Sequence, residues 1–124
     1  MLCSADTNAF IRAFDGLRDD RLTLLRTALR ANEVRLSPVV VTELLSAPAP
    51  TSDARSFVAS IPRLTLRDGY WERAGRLRAE LLARRLRARL ADCLIAQSCI
   101  DHDIPLITYD RDFRHFEPAG LKLL

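Results

Sequence analysis

Several things are scarce in this chain of 124 residues, and each scarcity removes a class of function. Its three cysteines, Cys3, Cys93 and Cys99, are an odd set inside apolar strings, so they do not make a disulfide framework. No CxxC or His–Cys spacing of a structural zinc site occurs, and buried free thiols are expected. Its two histidines, His102 and His115, fall near element ends, where exposure is expected, and neither has a metal-ligand neighbour at helical spacing. No Ser, Cys or His constellation for nucleophilic catalysis stands out. No apolar run approaches the roughly 20 residues that span a bilayer. The longest, around Val39-Val40-Val41, is broken by Thr42 and Glu43. The opening string MLCSADTN has neither a basic start nor a long apolar stretch, so no secretory leader is expected and the cytoplasm is the expected compartment. Internal repeats, low-complexity tracts and an inter-domain linker are also missing.

What is present is the composition of a soluble globular protein, 48% hydrophobic and 28% charged. The length suits one domain over residues 1–124 with a core of its own. The net charge is +3, and the basic residues are arginines with one exception, Lys122. A guanidinium fork binds phosphate bidentately; an arginine bias also follows from genome composition, so placement matters more than number.

The patterning alternates strand and helix. Residues 2–6 read as a short buried strand, and Thr7-Asn8 opens a helix toward Phe14. Leu22, Leu25 and Leu29 recur at helical spacing, giving a helix over 17–31. Val34–Ser37 reads as a second strand. Ser37-Pro38, a cap followed by proline in the first turn, starts a helix that carries Glu43 and ends before Pro48 and Pro50. Asp53 caps a short helix through Ser60, and Arg63–Leu66 is a third strand. Asp68 caps a longer helix with Tyr70, Ala74, Leu77 and Leu81 on its apolar face. Leu90–Asp101 is a helix with Asp92 in its first turn. Pro105–Thr108 is a fourth strand and Leu121–Leu124 a candidate fifth. Such alternation predicts an α/β fold, a mostly parallel sheet covered by helices on both faces. Its ligand site should lie beyond the carboxyl ends of the strands.

Four acids fall at that rim: Asp6, Glu43, Asp92 and Asp110. Their strings, CSADTNAFI, SPVVVTELLS, RLADCLIAQSC and LITYDRDF, are largely apolar, so an unpaired carboxylate there is expensive. Clustered carboxylates repel at neutral pH, so either some take up protons or cations neutralise them. Magnesium and manganese are hard ions that favour oxygen ligands, and the chemistry such a site suits is hydrolysis of a phosphodiester. Each acid also has a plainer role available. Asp6 could cap the first helix, Asp92 could complement a helix dipole, and Asp110 and Asp112 could be turn residues.

These strings carry a resemblance. The chain resembles a PIN domain, most of all the VapC-type toxin ribonucleases of toxin–antitoxin pairs. Asp6-Thr7-Asn8 is similar to the family's first acidic motif, VVVTELLS to the second, and DCLIAQSCIDHDIPLITYDRDF to the joined third and fourth. The resemblance covers nearly the whole chain and implies a single-domain three-layer sandwich around a mostly parallel sheet of four to five strands. It implies a Mg2+- or Mn2+-dependent endoribonuclease in which Asp6, Asp92 and Asp110 ligate metal and Glu43 does so directly or through water. Thr7, Asn8 and Thr108 would orient ligands or water, and Asp112 would be a supporting acid able to stand in for Asp110. The implied partners are RNA, a small antitoxin protein and a second copy of the chain as a homodimer, with no membrane. The stretch ARRLRARLAD departs from the family's looser, glycine-bearing loop. Its Arg84, Arg85, Arg87 and Arg89 are either an RNA-binding ramp leading to Asp92 or a solvated helix end. Tyr70 and Trp71 fit the core face or a dimer contact better than a base-stacking platform. Two other readings remain open: a nuclease of RNA maturation or DNA processing without an antitoxin, and a degenerate fold kept for binding.

Overall fold

The computed structural model describes residues 1–46 and 52–124, so Pro48 and Pro50 lie outside the described residues. Strand β1 (Ser4–Ala5) leads into α1 (Thr7–Phe14), α2 (Asp20–Arg30), α3 (Pro38–Leu44), α4 (Ser52–Ser60), α5 (Tyr70–Ala83), α6 (Leu90–His102), β2 (Leu106–Ile107) and a 3-10 helix (Arg111–Ala119). β1 and β2 pair in parallel, Ser4 opposite Leu106 and Ala5 opposite Ile107.

The expected four- to five-stranded sheet is present only as that two-stranded ladder plus single parallel bridges, Cys3 to Val34, Leu36 to Arg63 and Leu106 to Leu123. Proline limits these segments. Pro38 turns the chain into α3 directly after the Leu36 bridge, and Pro62 and Pro105 precede bridging residues without an N–H to donate. Their carbonyls still accept, from Leu36 N and Ser4 N at 2.8 and 2.9 Å.

α6 is the central helix. Cys93, Ile95, Ala96, Gln97, Ser98 and Cys99 are all buried, so it has no wet face along its middle. All three cysteines are buried free thiols, as expected. Phe10, Leu25, Leu36, Ile107, Phe113 and Phe116 complete the core around it. Ser37 holds the cap position of α3, yet its hydroxyl accepts from Ser98 of α6 at 2.9 Å instead of bonding its own helix. Asp53 lies inside the first turn of α4 and is not its cap.

The cap expected at Asp68 belongs to Gly69, whose φ of 80° is a left-handed conformation that glycine adopts without strain. The Asp68 carbonyl accepts from Arg73 Nη1 instead, at 2.6 Å. α5 stops at Ala83 because Arg85 turns left-handed (φ 58°), and the N–H groups of Arg85 and Leu86 fold back onto the Leu82 and Leu81 carbonyls. Residues 84–89 are therefore a connection and not a helix end. The 3-10 helix was not expected from the sequence. It buries Phe113 and Phe116, whose three-residue spacing matches its period. Both histidines are half-buried and not exposed: the His102 ring pairs with the Thr65 carbonyl at 2.7 Å and the His115 ring with the Arg87 carbonyl at 3.2 Å. Tyr70 is buried and donates to the Leu94 carbonyl, whereas Trp71 stands 62% exposed. No helix among the described residues is long and apolar enough to cross a membrane.

Besides the Tyr70 bond, a fork ties α5 to α6. Arg73 Nε and Nη2 donate to the two carboxylate oxygens of Asp101 at 3.1 and 2.6 Å, and Gln97 donates to the same group at 2.9 Å. Replacing Arg73 by Ala leaves a largely buried Asp101 with Gln97 as its remaining side-chain partner. The variant is expected to unfold at a lower urea concentration, because Asp101 loses its charged donors. Urea denaturation checks this, and an unchanged midpoint would mean the fork behaves as an ordinary surface pair.

Candidate active site

The first acid sits where β1 hands over to α1. Asp6 is 5% exposed and caps α1, its Oδ1 accepting from the Ala9 N–H at 3.0 Å. Its Oδ2 accepts from the Thr108 hydroxyl at 2.5 Å, across 102 residues of chain. The plain capping role and the role in a converging site are therefore both realised, one oxygen each. Parallel pairing of β1 with β2 brings the two strand ends level, and this makes the second bond possible.

Thr108 passes the link on. Its Oγ1 accepts from the Asp110 N–H at 3.0 Å, and Asp110 caps the 3-10 helix by accepting from the Asp112 N–H at 2.9 Å. Asp110 Oδ2 is left without a hydrogen-bond partner among the described residues. Glu43 is exposed, not enclosed by the apolar residues around it in sequence, because Val40 and Val41 take the buried side of α3. It accepts from Thr7 Oγ1 at 2.7 Å, which ties α3 to the first turn of α1. Asp92, half-buried in the first turn of α6, accepts no hydrogen bond from the described residues. Asn8 is exposed and makes no side-chain hydrogen bond to any of these acids.

The four acids share one electrostatic environment. Burial raises the Asp92 carboxyl from 3.8 to about 6, with Asp110, Asp6 and Glu43 adding like-charge repulsion and Arg89 opposing them. Burial also raises Asp6, and Asp110 and Glu43 push the same way, while bonds from Thr108 and Ala9 oppose the shift. Among the described residues, no three His, Cys, Asp or Glu side chains are close enough together to hold a metal ion jointly. The donor set is nevertheless all hard carboxylate oxygen with lone pairs unused at Asp92, Asp110 and Glu43, which is chemistry that suits a magnesium-type ion.

The arginines ahead of Asp92 divide. All four lie outside the core. Arg87 Nε lies 3.8 Å from Asp112, and Arg89 occupies the cap position of α6 beside Asp92. Arg84 instead lines an apolar hollow with Leu77, Leu81 and Pro118, and Arg85 forms the left-handed turn. The structure also brings forward residues that carried no signal in the sequence analysis. Tyr109 donates its hydroxyl to Asp19, the cap of α2, and Arg12 and Arg21 lie over its ring at 4.4 and 5.2 Å. Arg111 and Arg114 share a cleft with Arg21 beside Asp110. Arg111 stands next to an acid already singled out, so adjacency could have found it; Arg21 carries no local signal.

The raised Asp92 carboxyl sets a pH dependence. The folded chain holds this proton more tightly than the unfolded chain, so protonation favours the fold. Without divalent metal, stability is expected to fall as pH rises from about 4 to about 6 and to level off above that. Asp92→Asn should flatten this decline and melt higher than the native chain near neutral pH. Thermal melts across that pH range in chelator provide the check, and parallel curves for the two proteins would place Asp92 outside the cluster.

Comparison with known proteins fits this arrangement. No curated protein sequence matches the chain. Among solved structures, it is similar to a chain of VapBC2 from Rickettsia felis bound to a DNA fragment from their promoter, with TM-score 0.75 and 21% identity over 100% of this chain and 98% of that one. VapBC-5 of the VapBC family of toxin-antitoxin systems, from Mycobacterium tuberculosis, aligns with TM-score 0.70 and 25% identity over 99% and 97%. DNA-bound VapBC from Salmonella typhimurium aligns with TM-score 0.72 and 19% identity over 100% and 98%. The resemblance to VapC-type toxins carried by the acidic motifs thus extends to the fold. The family model of the PIN domain matches residues 5–117, a span that begins one residue before Asp6 and takes in all four acids, and the chain belongs to the PIN domain family.

Proposed function

We propose that residues 1–124 form one nuclease unit, the toxin of a VapBC-type pair, which hydrolyses RNA internally with Mg2+ or Mn2+. One observation carries this reading: acids from opposite ends of the chain come near enough that Asp110 and Glu43 add to burial in pushing up the Asp92 and Asp6 carboxyls, while the Thr108 hydroxyl ties Asp6 to the strand end that leads to Asp110. The five parallel segments are read as one sheet, with the acids beyond its carboxyl ends.

Asp6, Asp92 and Asp110, not close enough to share an ion in the arrangement described, would draw in to hold it, with Glu43 reaching it directly or through water. A bound divalent cation supplies charge neutralisation at the phosphoryl oxygens and eases attack by water. The chain's own contribution is positioning. Thr108 fixes the Asp6 carboxylate and the Asp110 backbone together, Thr7 orients Glu43, and Asn8 is exposed and available to orient water or substrate. Asp112, tied to the Asp110 cap and facing Arg87, is a supporting acid. Arg84, Arg85, Arg87 and Arg89 are assigned to the RNA backbone, and Arg87 and Arg89 have the stronger geometry because they approach the acids. The natural partners are RNA, a small antitoxin that occludes the acids, and a second copy in a homodimer; the compartment is the cytoplasm. VapBC complexes among the structural neighbours support the antitoxin assignment.

RNA cleavage is expected with Mg2+ or Mn2+, to stop in EDTA, and to leave 5′-phosphate and 3′-hydroxyl ends. Undiminished cleavage in chelator, or cyclic phosphate ends, would remove the metal mechanism. Asp6→Asn and Asp92→Asn should each lower the rate at least ~100-fold, more than the loss of a supporting group, with the fold intact by circular dichroism. Asp112→Asn should do less harm than Asp110→Asn, and the reverse order would exchange their roles.

The Arg87→Ala, Arg89→Ala double variant should bind unrelated RNAs more weakly and with a shallower salt dependence, while the cut position stays put. A lower melting temperature with an unchanged salt slope would make these side chains structural, their stems covering apolar surface.

A further inference from the structure

The loop ahead of Asp92 is not the only basic surface near the acids. A separate cleft runs between the start of α2 and the start of the 3-10 helix, lined by Arg21, Arg111 and Arg114 together with Thr108, Tyr109 and Asp110. Thr108 and Asp110 are also members of the carboxylate network, so the cleft shares a wall with the candidate site.

The state of its guanidinium groups sets this cleft apart. Several arginines elsewhere are committed to the fold. Arg26 donates to the Ala13 and Leu17 carbonyls, Arg78 to the Ala88 carbonyl, and Arg73 to Asp101. Arg111 and Arg114 are exposed, and their side chains make no hydrogen bond or ion pair among the described residues. Arg21 is exposed as well and lies over the Tyr109 ring at 5.2 Å. Three cations are thus held beside Asp110 with their donors unspent, Arg21 also facing the Asp19 carboxylate that Tyr109 holds. The wall is also held in place: the Tyr109 hydroxyl is locked onto Asp19, which caps α2 through the Leu22 N–H at 2.8 Å. That lock fixes the start of α2, and with it Arg21, against the strand end that leads to Asp110. A site whose walls are already ordered loses little conformational freedom on binding.

We propose that this cleft binds a backbone phosphate of the RNA, next to the bond positioned at the acids. The inference rests on the endoribonuclease reading above and adds the path the strand takes. The reasoning is electrostatic. Four carboxylates repel a polyanion, so a strand held at them needs compensating cations along its length. Arg87 and Arg89 supply some, and Arg21, Arg111 and Arg114 form a second, independent bank. Phosphate matches the cleft because planar guanidinium forks bind it in pairs and read no base edge.

The test uses the full chain in an Asp92→Asn background, so that RNA is bound without being cut, and a single-stranded oligoribonucleotide titrated over a range of salt. The Arg111→Ala, Arg114→Ala double variant is expected to bind about tenfold more weakly at low salt, with a slope flattened by about 0.7 for each phosphate that is no longer neutralised. Its thermal melt should be unchanged, since both side chains are exposed and unpaired. The Arg111→Lys, Arg114→Lys variant should recover the slope, because charge is retained, and only part of the affinity. Steep, salt-dependent binding by the Asp92→Asn parent with no change in the double Ala variant would overturn the cleft assignment and leave the nuclease reading standing. An Asp92→Asn parent that binds no RNA, beside a native chain that cuts none, would overturn both. Poly-glutamate displacing RNA as well as polyuridylate does, and losing that ability in the double Ala variant, would turn the cleft into a site for acidic protein and overturn its assignment to phosphate.

Discussion

The bond between the Thr108 hydroxyl and Asp6 is the interaction on which the site depends. It closes 102 residues of chain in one step and joins four elements at a point. Asp6 ends β1 and caps α1, while Thr108 ends β2 and receives the N–H of the residue that caps the 3-10 helix. A buried carboxylate is unfavourable without partners. Here each oxygen has one, so a group that burial would neutralise is held in a fixed orientation. Loss of the hydroxyl would leave Asp6 Oδ2 and the Asp110 N–H without that shared partner.

α6 provides the other half of the frame. Because its middle is buried all round, it cannot shift without disturbing the core on every side. Its polar attachments are satisfied individually: Ser98 with Ser37, Asp101 with Arg73 and Gln97, and the Leu94 carbonyl with Tyr70. Asp92 is therefore delivered to the rim by a rigid rod, half-buried and without a hydrogen bond from the described residues. Its raised proton affinity is the electrostatic consequence of that placement, and the same tension is what a cation would relieve.

Charge is organised on two scales. At the centre, carboxylates are gathered where burial and like charge disfavour them. Around them, arginines are divided between those that bond backbone carbonyls and carboxylates within the fold and those left with unused donors. A count of arginines cannot make this division, because Arg26 and Arg111 are the same residue type with opposite duties. In the proposed function, the free arginines offset the repulsion that the acids impose on an RNA strand, and the committed ones hold the surface that presents them.

Local physics made much of this legible in the sequence. α1, α3 and α6 begin where Asp6, Ser37-Pro38 and the run after Arg89 place them, because caps, proline and apolar periodicity act over a few residues. The four acids could be picked out, since a carboxylate in an apolar string is anomalous wherever it occurs. Other features needed neighbours distant in sequence. Glu43 turned out exposed, the cap before α5 fell to a left-handed Gly69, and residues 84–89 turned away from helix at Arg85. The 3-10 helix rests on an aromatic pair too short to register as a period, and the sheet dwindled to short pairings between prolines. Sequence alone determined which acids stand anomalously in apolar strings and where most helices start. Tertiary structure alone decided which oxygen of Asp6 faces Thr108, which arginines stay free, and which of them stand beside the acids. Those outcomes depend on pairing between strands and helices far apart in the chain, and no local rule contains that information.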